Sequence, residues 1–140
     1  MALGHRRTER QQDLWVLGSD IATAPGHPFY AELNRHLAEA EFDRFFEDLC
    51  EPYYADGVGR PGIPPGIFFR MLMVGYFENI ESDRGIAWRC ADSLSLREFL
   101  GYGIDEETPD HSSLSRIRDR LPFTVYRKVF QFILGILAEE

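Results

Sequence analysis

The residues best suited to chemistry lie in Thr108-Pro109-Asp110-His111-Ser112-Ser113-Leu114-Ser115-Arg116-Ile117-Arg118-Asp119-Arg120-Leu121. Arg116 and Arg120 stand four apart with Ser112 and Ser113 a turn earlier, so a helix carries them on a common flank. Planar guanidinium forks of this kind suit phosphate and carboxylate oxygens. Leu114, Ile117 and Leu121 recur at i, i+3 and i+7, which makes a separate apolar stripe. The pattern predicts a helix packed on a small helical domain and offered to a nucleic-acid backbone. A solvated amphipathic helix without a ligand would carry the same pattern. The start signal is Thr108 as cap with Pro109 at the first helical position, where its missing N–H costs nothing. Asp110 then falls in the first turn, where the helix dipole favours negative charge, and the arginines fall toward the other end.

Signals for catalysis are few. The chain contains no His-Glu-x-x-His, no Gly-x-Ser-x-Gly and no nucleophile–base pair. Asp105, Glu106, Glu107, Asp110 and His111 form the densest cluster of acids with a histidine. Paired carboxylates can hold Mg²⁺, but a loop and a helix's first turn account for these by solvation and the dipole. Asp43, Glu47, Asp48 and Glu51 lie beside an apolar stripe with no His or Cys at ligand spacing, and they read as a solvated face. The glycines of Asp56-Gly57-Val58-Gly59-Arg60-Pro61-Gly62 belong to a turn-rich loop. They lack the GxxxxGK[ST] spacing and a preceding strand.

The elements that must position the arginine helix are helical throughout. At 140 residues the chain reads as an arm over 1–26 and one helical domain over 27–140. Its net charge of −8 excludes a uniformly basic DNA-coating protein. The acidity is concentrated: between Pro28 and Val58, Arg35 and Arg44 face eight acids, whereas five arginines balance five acids from Gly59 to Ile104. Lys128 is the only lysine; the other basic residues are arginine. Cys50 and Cys90 stand outside any CxxC or Cys/His ligand spacing and read as reduced, buried thiols of a cytosolic protein. The longest apolar run, Ile67 to Phe77, is broken by Arg70 and falls short of the ~20 residues a bilayer requires. The N-terminus has no apolar core of a signal peptide, so neither export nor membrane insertion is expected.

The arm has a basic cluster, Arg6, Arg7 and Arg10, and one apolar patch, Leu14-Trp15-Val16-Leu17, that would either dock or stay free. Pro28 opens a helix with Phe29, Leu33 and Leu37 on one side. A second helix begins near Glu41 with Phe42, Phe45, Phe46 and Leu49 inward. The stretch from about Pro65 to Asn79 is apolar nearly all round and is expected at the centre of the core, covered on every side. Ser82 caps a short helix with Ile86, Ala87, Cys90 and Ala91 inward. Ser95 caps the next, which buries Leu96, Phe99 and Leu100 and ends at Gly101 and Gly103. Pro122 starts the last helix, in which Val125, Val129, Phe132, Ile133, Ile136 and Leu137 line up. Three short helices after a buried one, the third with serines and arginines, suggest a helix-turn-helix-like portion of an all-α domain.

Five ordered motifs are more specific: Gly59-Arg60-Pro61-x-Ile63-Pro64-Pro65, Gly75-Tyr76-Phe77-Glu78, Ser82-Asp83-Arg84-Gly85-Ile86-Ala87-Trp88-Arg89, Ser95-Leu96-Arg97-Glu98-Phe99-Leu100, and Thr108 through Arg118. Together, from about His27 onward, the chain resembles the N-terminal domain of InsH-like bacterial insertion-sequence transposases. The resemblance implies a helical domain that helps bind the element's terminal inverted repeats. It also implies a separate RNase-H-like domain whose acidic triad holds two divalent metals. That domain's pattern is absent from these residues, so no catalytic residue carries over and the chain itself needs no cofactor. It reads as a transposase fragment or isolated domain that is not an enzyme on its own, cytoplasmic and nucleoid-associated, with no membrane partner.

Two roles follow from this reading. In the first, Ser112, Ser113, Arg116 and Arg120 lead contact with DNA, assisted by Arg118, Arg84, Arg89 and the basic arm. In the second, the acidic region and the apolar last helix pair the domain with itself or with full-length transposase. A non-functional remnant is the remaining alternative.

Overall fold

The most apolar stretch of the chain becomes its most deeply buried helix. The computed structural model describes residues 1–20, 28–54 and 62–138, and its regular elements there are all helices. They are α1 Phe29–Glu39, α2 Phe42–Cys50, α3 Pro65–Glu78, α4 Asp83–Asp92, α5 Leu94–Leu100, α6 His111–Arg120 and α7 Phe123–Ala138, with short 3₁₀ turns at Gly18–Asp20 and Glu51–Tyr53. The turn-rich loop expected at 56–62 lies, apart from Gly62, outside the described residues, as does the end of the arm.

Pro65 takes the first helical position of α3, and the Pro64 carbonyl accepts the N–H groups of Ile67 and Phe68, both at 3.1 Å. Phe68, Phe69, Met71, Met73 and Val74 are buried. At the other end Asn79 adopts left-handed backbone (φ 58°), and Ile80 donates to the Gly75 carbonyl at 2.8 Å, which satisfies a terminal carbonyl. Cover on every side does not extend to the last turn, where Tyr76 is 77 % exposed and Phe77 lies half-open. The chain restarts at once as α4 and packs Ile86 against Gly75, while Phe77 and Glu78 meet Phe29 and Tyr30, which leaves Tyr76 on the open side.

α1 buries Leu33 and Leu37, while Phe29, at its first turn, is partly exposed and stacks edge-on to Phe77 at 4.9 Å. In α2 the buried line is Phe42, Phe46 and Cys50, at i, i+4 and i+8. That places Phe45 at the edge rather than inside: it is half exposed, leaning on Phe46 and on Phe132 of α7. Asp43, expected in a solvated face, instead pairs with Arg70, the buried charged residue of α3.

Arg70 joins three helices. Its Nη1 and Nη2 donate to the two carboxylate oxygens of Asp43 at 2.6 and 3.0 Å, its Nε donates to Asn34 Oδ1 at 2.9 Å, and Nη1 also reaches the Gly66 carbonyl at 3.0 Å. The guanidinium lies between the rings of Phe42 and Phe99. A two-point carboxylate with further acceptors is what a desolvated arginine requires.

Ser82 caps α4 as expected, accepting the Gly85 N–H at 3.0 Å. The cap of α5 is Ser93, not Ser95: its Oγ accepts the Leu96 N–H at 3.2 Å. α4 ends at Asp92, so the single extended residue between the helices is Ser93, and the cap must come from it. Gly101 closes α5 at φ 90°, which a side chain would resist. Cys50 and Cys90 are buried free thiols, pushed up to about 11 and about 12 by burial, so neither is a ready nucleophile.

Between α6 and α7 the chain turns through 104°. In α7 Val125 is buried, and Phe132 packs on Phe42, Phe45 and Phe46. Val129, Ile133 and Ile136 are partly buried beside them, but Leu137 departs from the expected inner line and is half exposed. No single described helix is long and apolar enough to cross a membrane. Residues 1–17 carry no regular helix or strand, and Leu14, Trp15, Val16 and Leu17 are exposed rather than docked.

Candidate nucleic-acid interface

α6 begins later than its sequence suggested. Asp110, not Thr108, is the cap: its backbone is extended and its carboxylate accepts the Ser113 N–H at 2.8 Å. Thr108 and Pro109 therefore precede the helix. Aspartate caps at least as well as threonine, and only the residue directly before the first helical turn can reach the third N–H. The hydrogen bonds from Ser113 hold the Asp110 carboxyl below its usual range. A negative cap already occupies this helix end, so an anion must approach along the flank.

The inner stripe is as expected, with Leu114, Ile117 and Leu121 all buried. The roll of α6 about that stripe is set by Asp83 in the first turn of α4. Its carboxylate accepts from Ser115 Oγ at 3.0 Å, from Arg118 Nε at 3.3 Å and from Arg118 Nη2. Burial alone would raise the Asp83 carboxyl, but the Arg118 and Ser115 hydrogen bonds outweigh it and hold it low. The Arg118 carbonyl also accepts the Tyr126 hydroxyl at 3.0 Å, which ties α7 to the same point.

The structure thus sorts the arginines. Arg118 is engaged by Asp83. Arg89 is engaged by Glu78, whose Oε1 accepts Arg89 Nε at 2.6 Å while Oε2 accepts the Tyr30 hydroxyl at 2.6 Å. Arg97 holds three carbonyls, those of Ala91, Gly103 and Glu106, at 2.9, 3.1 and 2.7 Å, and fastens the loop before α6 onto α5. Arg84 lies with Nη2 3.3 Å from His111 Nε2, at the start of α6. Arg116 and Arg120 are exposed and, among the described residues, make no hydrogen bond or ion pair. Ser112 and Ser113 are half-buried on the turn before them. The sites named from sequence therefore divide into an outward group, Ser112, Ser113, Arg116, Arg120 and Arg84, and two clamps, Arg118 and Arg89.

Sequence reasoning missed Asp83, Ser115, Glu78 and Arg97 as positioning residues. The only advance signal was their place inside the ordered motifs, since the partners of Asp83, Ser115 and Glu78 lie far along the chain and Arg97 binds backbone carbonyls that no residue pattern marks. From His111 to Ala138 the charge runs opposite to the whole: Arg116, Arg118, Arg120, Arg127 and Lys128 face one acid, Asp119. The acidic loop is partly engaged, with Glu106 Oε1 accepting the Gly103 N–H at 2.8 Å. No three His, Cys, Asp or Glu side chains among the described residues are grouped to hold a metal ion.

The two clamps make stability acid-sensitive. Burial opposes ionisation of Glu78 too, but Tyr30 and Arg89 hold its carboxyl low. Groups depressed on folding contribute stability that is complete above their unfolded values, about 4. That contribution is lost as pH falls through the lower native values. Melting curves are expected to change little from pH 7 to 5 and to fall steeply below about pH 4, with a shallower acid dependence in Asp83→Asn. A melting temperature independent of pH down to about 3 would refute the assignment.

A family model described as a transposase domain (DUF772) matches residues 19–120, from the first 3₁₀ turn to the last residue of α6. No curated protein and no solved structure matches the chain.

Proposed function

Because the chain belongs to the transposase domain family DUF772, we propose that it contacts DNA on behalf of an insertion-sequence transposase, gripping the terminal inverted repeats along the flank of α6. The observation that carries this reading is the pair Arg116 and Arg120, exposed on a helix whose Ser115 and Arg118 are bound to Asp83 and whose His111 lies against Arg84. Arg84 extends the same positive edge from α4, and Ser112 and Ser113 add hydroxyl donors a turn away. Arg118 and Arg89 act indirectly, by holding α6 and α4 in place. The net charge of −8 does not oppose this, because most of the excess acid lies in the α1–α2 region, and the acids beside α6 are the Asp110 cap and the loop before it, where Glu106 is turned onto the Gly103 N–H. Strand cleavage, with its divalent metals, is assigned to an RNase-H-like domain outside this helical unit. The site of action is the nucleoid in the cytoplasm.

Fluorescence anisotropy on a labelled duplex, titrated with salt, tests the reading. The phosphate term does not depend on sequence, so even a generic duplex reports it at low salt. The wild-type chain is expected to bind with a steep negative log–log slope. Arg116→Ala/Arg120→Ala is expected to flatten that slope by about two and to weaken binding ~10- to 100-fold without changing the melting temperature. Absence of binding at low salt, or an unchanged slope in the double variant, would overturn it.

A further inference from the structure

Trp88 stands open on α4: it is 66 % exposed, and among the described residues it makes no ring contact or hydrogen bond. The other sides of α4 are taken. Ile86 packs against Gly75 and Arg89 binds Glu78 on the α3 side, whereas Asp83 and Arg84 reach α6. Trp88 follows Arg84 at i+4 and so shares its outward flank. Helical side chains lean toward the N-terminus, which carries the indole back over the turn of Arg84. We propose that Trp88 is a stacking platform for an unpaired base of the bound DNA, with Arg84 holding that nucleotide's phosphate. This rests on the α6 reading above and names the DNA it prefers, a duplex whose end is frayed or single-stranded.

Two observations favour a base over another occupant. First, the i−4, i−3, i+3 and i+4 neighbours of Trp88 are Arg84, Gly85, Ala91 and Asp92, so no large apolar side chain adjoins it on the helix. A lone ring among polar groups lacks the contiguous apolar patch of a protein interface. A base, with a flat π-face and polar edges, fits such a place. Secondly, the cation beside it is already aimed. Arg84 Nη2 lies 3.3 Å from His111 Nε2, so it is drawn to the start of α6, toward Ser112 and Arg116, and leaves the indole face clear. A phosphate held there would have the indole one helical turn away, ~6 Å, about the span from a phosphate to its own base. Asp92, the exposed acid of α4, lies beyond the indole, so the strand approaches from Arg84. Within a duplex the faces of a base are covered by its neighbours, and the indole therefore takes a base that has left the stack.

Emission and affinity test this together. Trp15 and Trp88 are the only tryptophans, so in Trp15→Phe the emission reports Trp88 alone. Quenching is expected when a duplex with a short single-stranded extension is added, and much less with the same duplex blunt. By anisotropy at low salt the wild-type chain is expected to hold the extended duplex about tenfold tighter. Trp88→Ala should erase that preference and Trp88→Phe should keep part of it. The salt slope stays unchanged in Trp88→Ala, because an indole releases no counterion. Equal affinity for both duplexes, or emission that the extension leaves unchanged, overturns the proposal. So does a Trp88→Ala chain that binds both duplexes more weakly by the same factor, or one altered in sedimentation rather than in DNA affinity. A chain that keeps the slope due to Arg116 and Arg120 but ignores the extension retains the α6 grip and loses this inference; a chain that binds neither duplex loses both.

Discussion

Asp43→Ala is expected to lower the unfolding free energy by about 3 kcal/mol, the low end of what breaking a buried ion pair costs. The loss comes mainly from what stays behind. Arg70 is 6 % exposed, and without Asp43 its guanidinium keeps only Asn34 and the Gly66 carbonyl as acceptors. The figure is not larger because the Asp43 side chain is itself half exposed, so water reaches the vacated place. Arg70→Met in the same chain removes the stranded charge and keeps most of the stem volume. The double variant is therefore expected to recover at least half of the loss, since a well-packed apolar side chain often replaces a buried pair at little cost. Urea unfolding of the two single variants and the double closes the cycle. A cost below about 1 kcal/mol for Asp43→Ala would mean that Arg70 finds other acceptors.

The second large effect reverses a general rule. Glycine inside a helix is ordinarily improved by alanine, by up to ~1 kcal/mol. In α3, however, a Cβ on Gly66 would stand 1.7 Å from Asp43 Oδ1 and 2.9 Å from its Cγ. Asp43 must swing out and release Arg70, so Gly66→Ala is expected to destabilise by about 2 kcal/mol despite its better propensity. The mechanism is checked by its dependence on background. In Asp43→Ala only the 3.0 Å approach to the flexible end of Arg70 remains, and the same alanine is expected to be close to neutral, within ~0.5 kcal/mol. Thermal melts of the four chains measure this. An equal penalty in both backgrounds would place the cause elsewhere in α3.

Much of this fold was legible from local pattern. The long apolar run with prolines before it, the Ser82 cap, the Gly101 stop and the stripes of α5 and α6 are properties of neighbouring residues, and a helix forms or ends on such short-range terms. The errors are local competitions that tertiary packing settled. Ser93 took the cap because α4 ended one residue before it. Asp110 displaced Thr108 because it sat directly before the first turn. Phe45 moved to the edge because the buried line ran through Phe42, Phe46 and Cys50.

The candidate site was half legible. Its arginines, serines and inner stripe could be named from spacing, but not which arginines were free. By itself, the sequence determined that the chain is helical, where most helices start and stop, and that α6 has an apolar side and a basic side. The tertiary structure alone decided that Arg118 answers Asp83 and Arg89 answers Glu78, that Arg70 is shared among three helices, and that Arg116 and Arg120 are left outward. The reason is one of range. Caps and stripes arise within a few residues, but a guanidinium is claimed by whichever carboxylate the fold brings to it, here from 11 to 35 positions away.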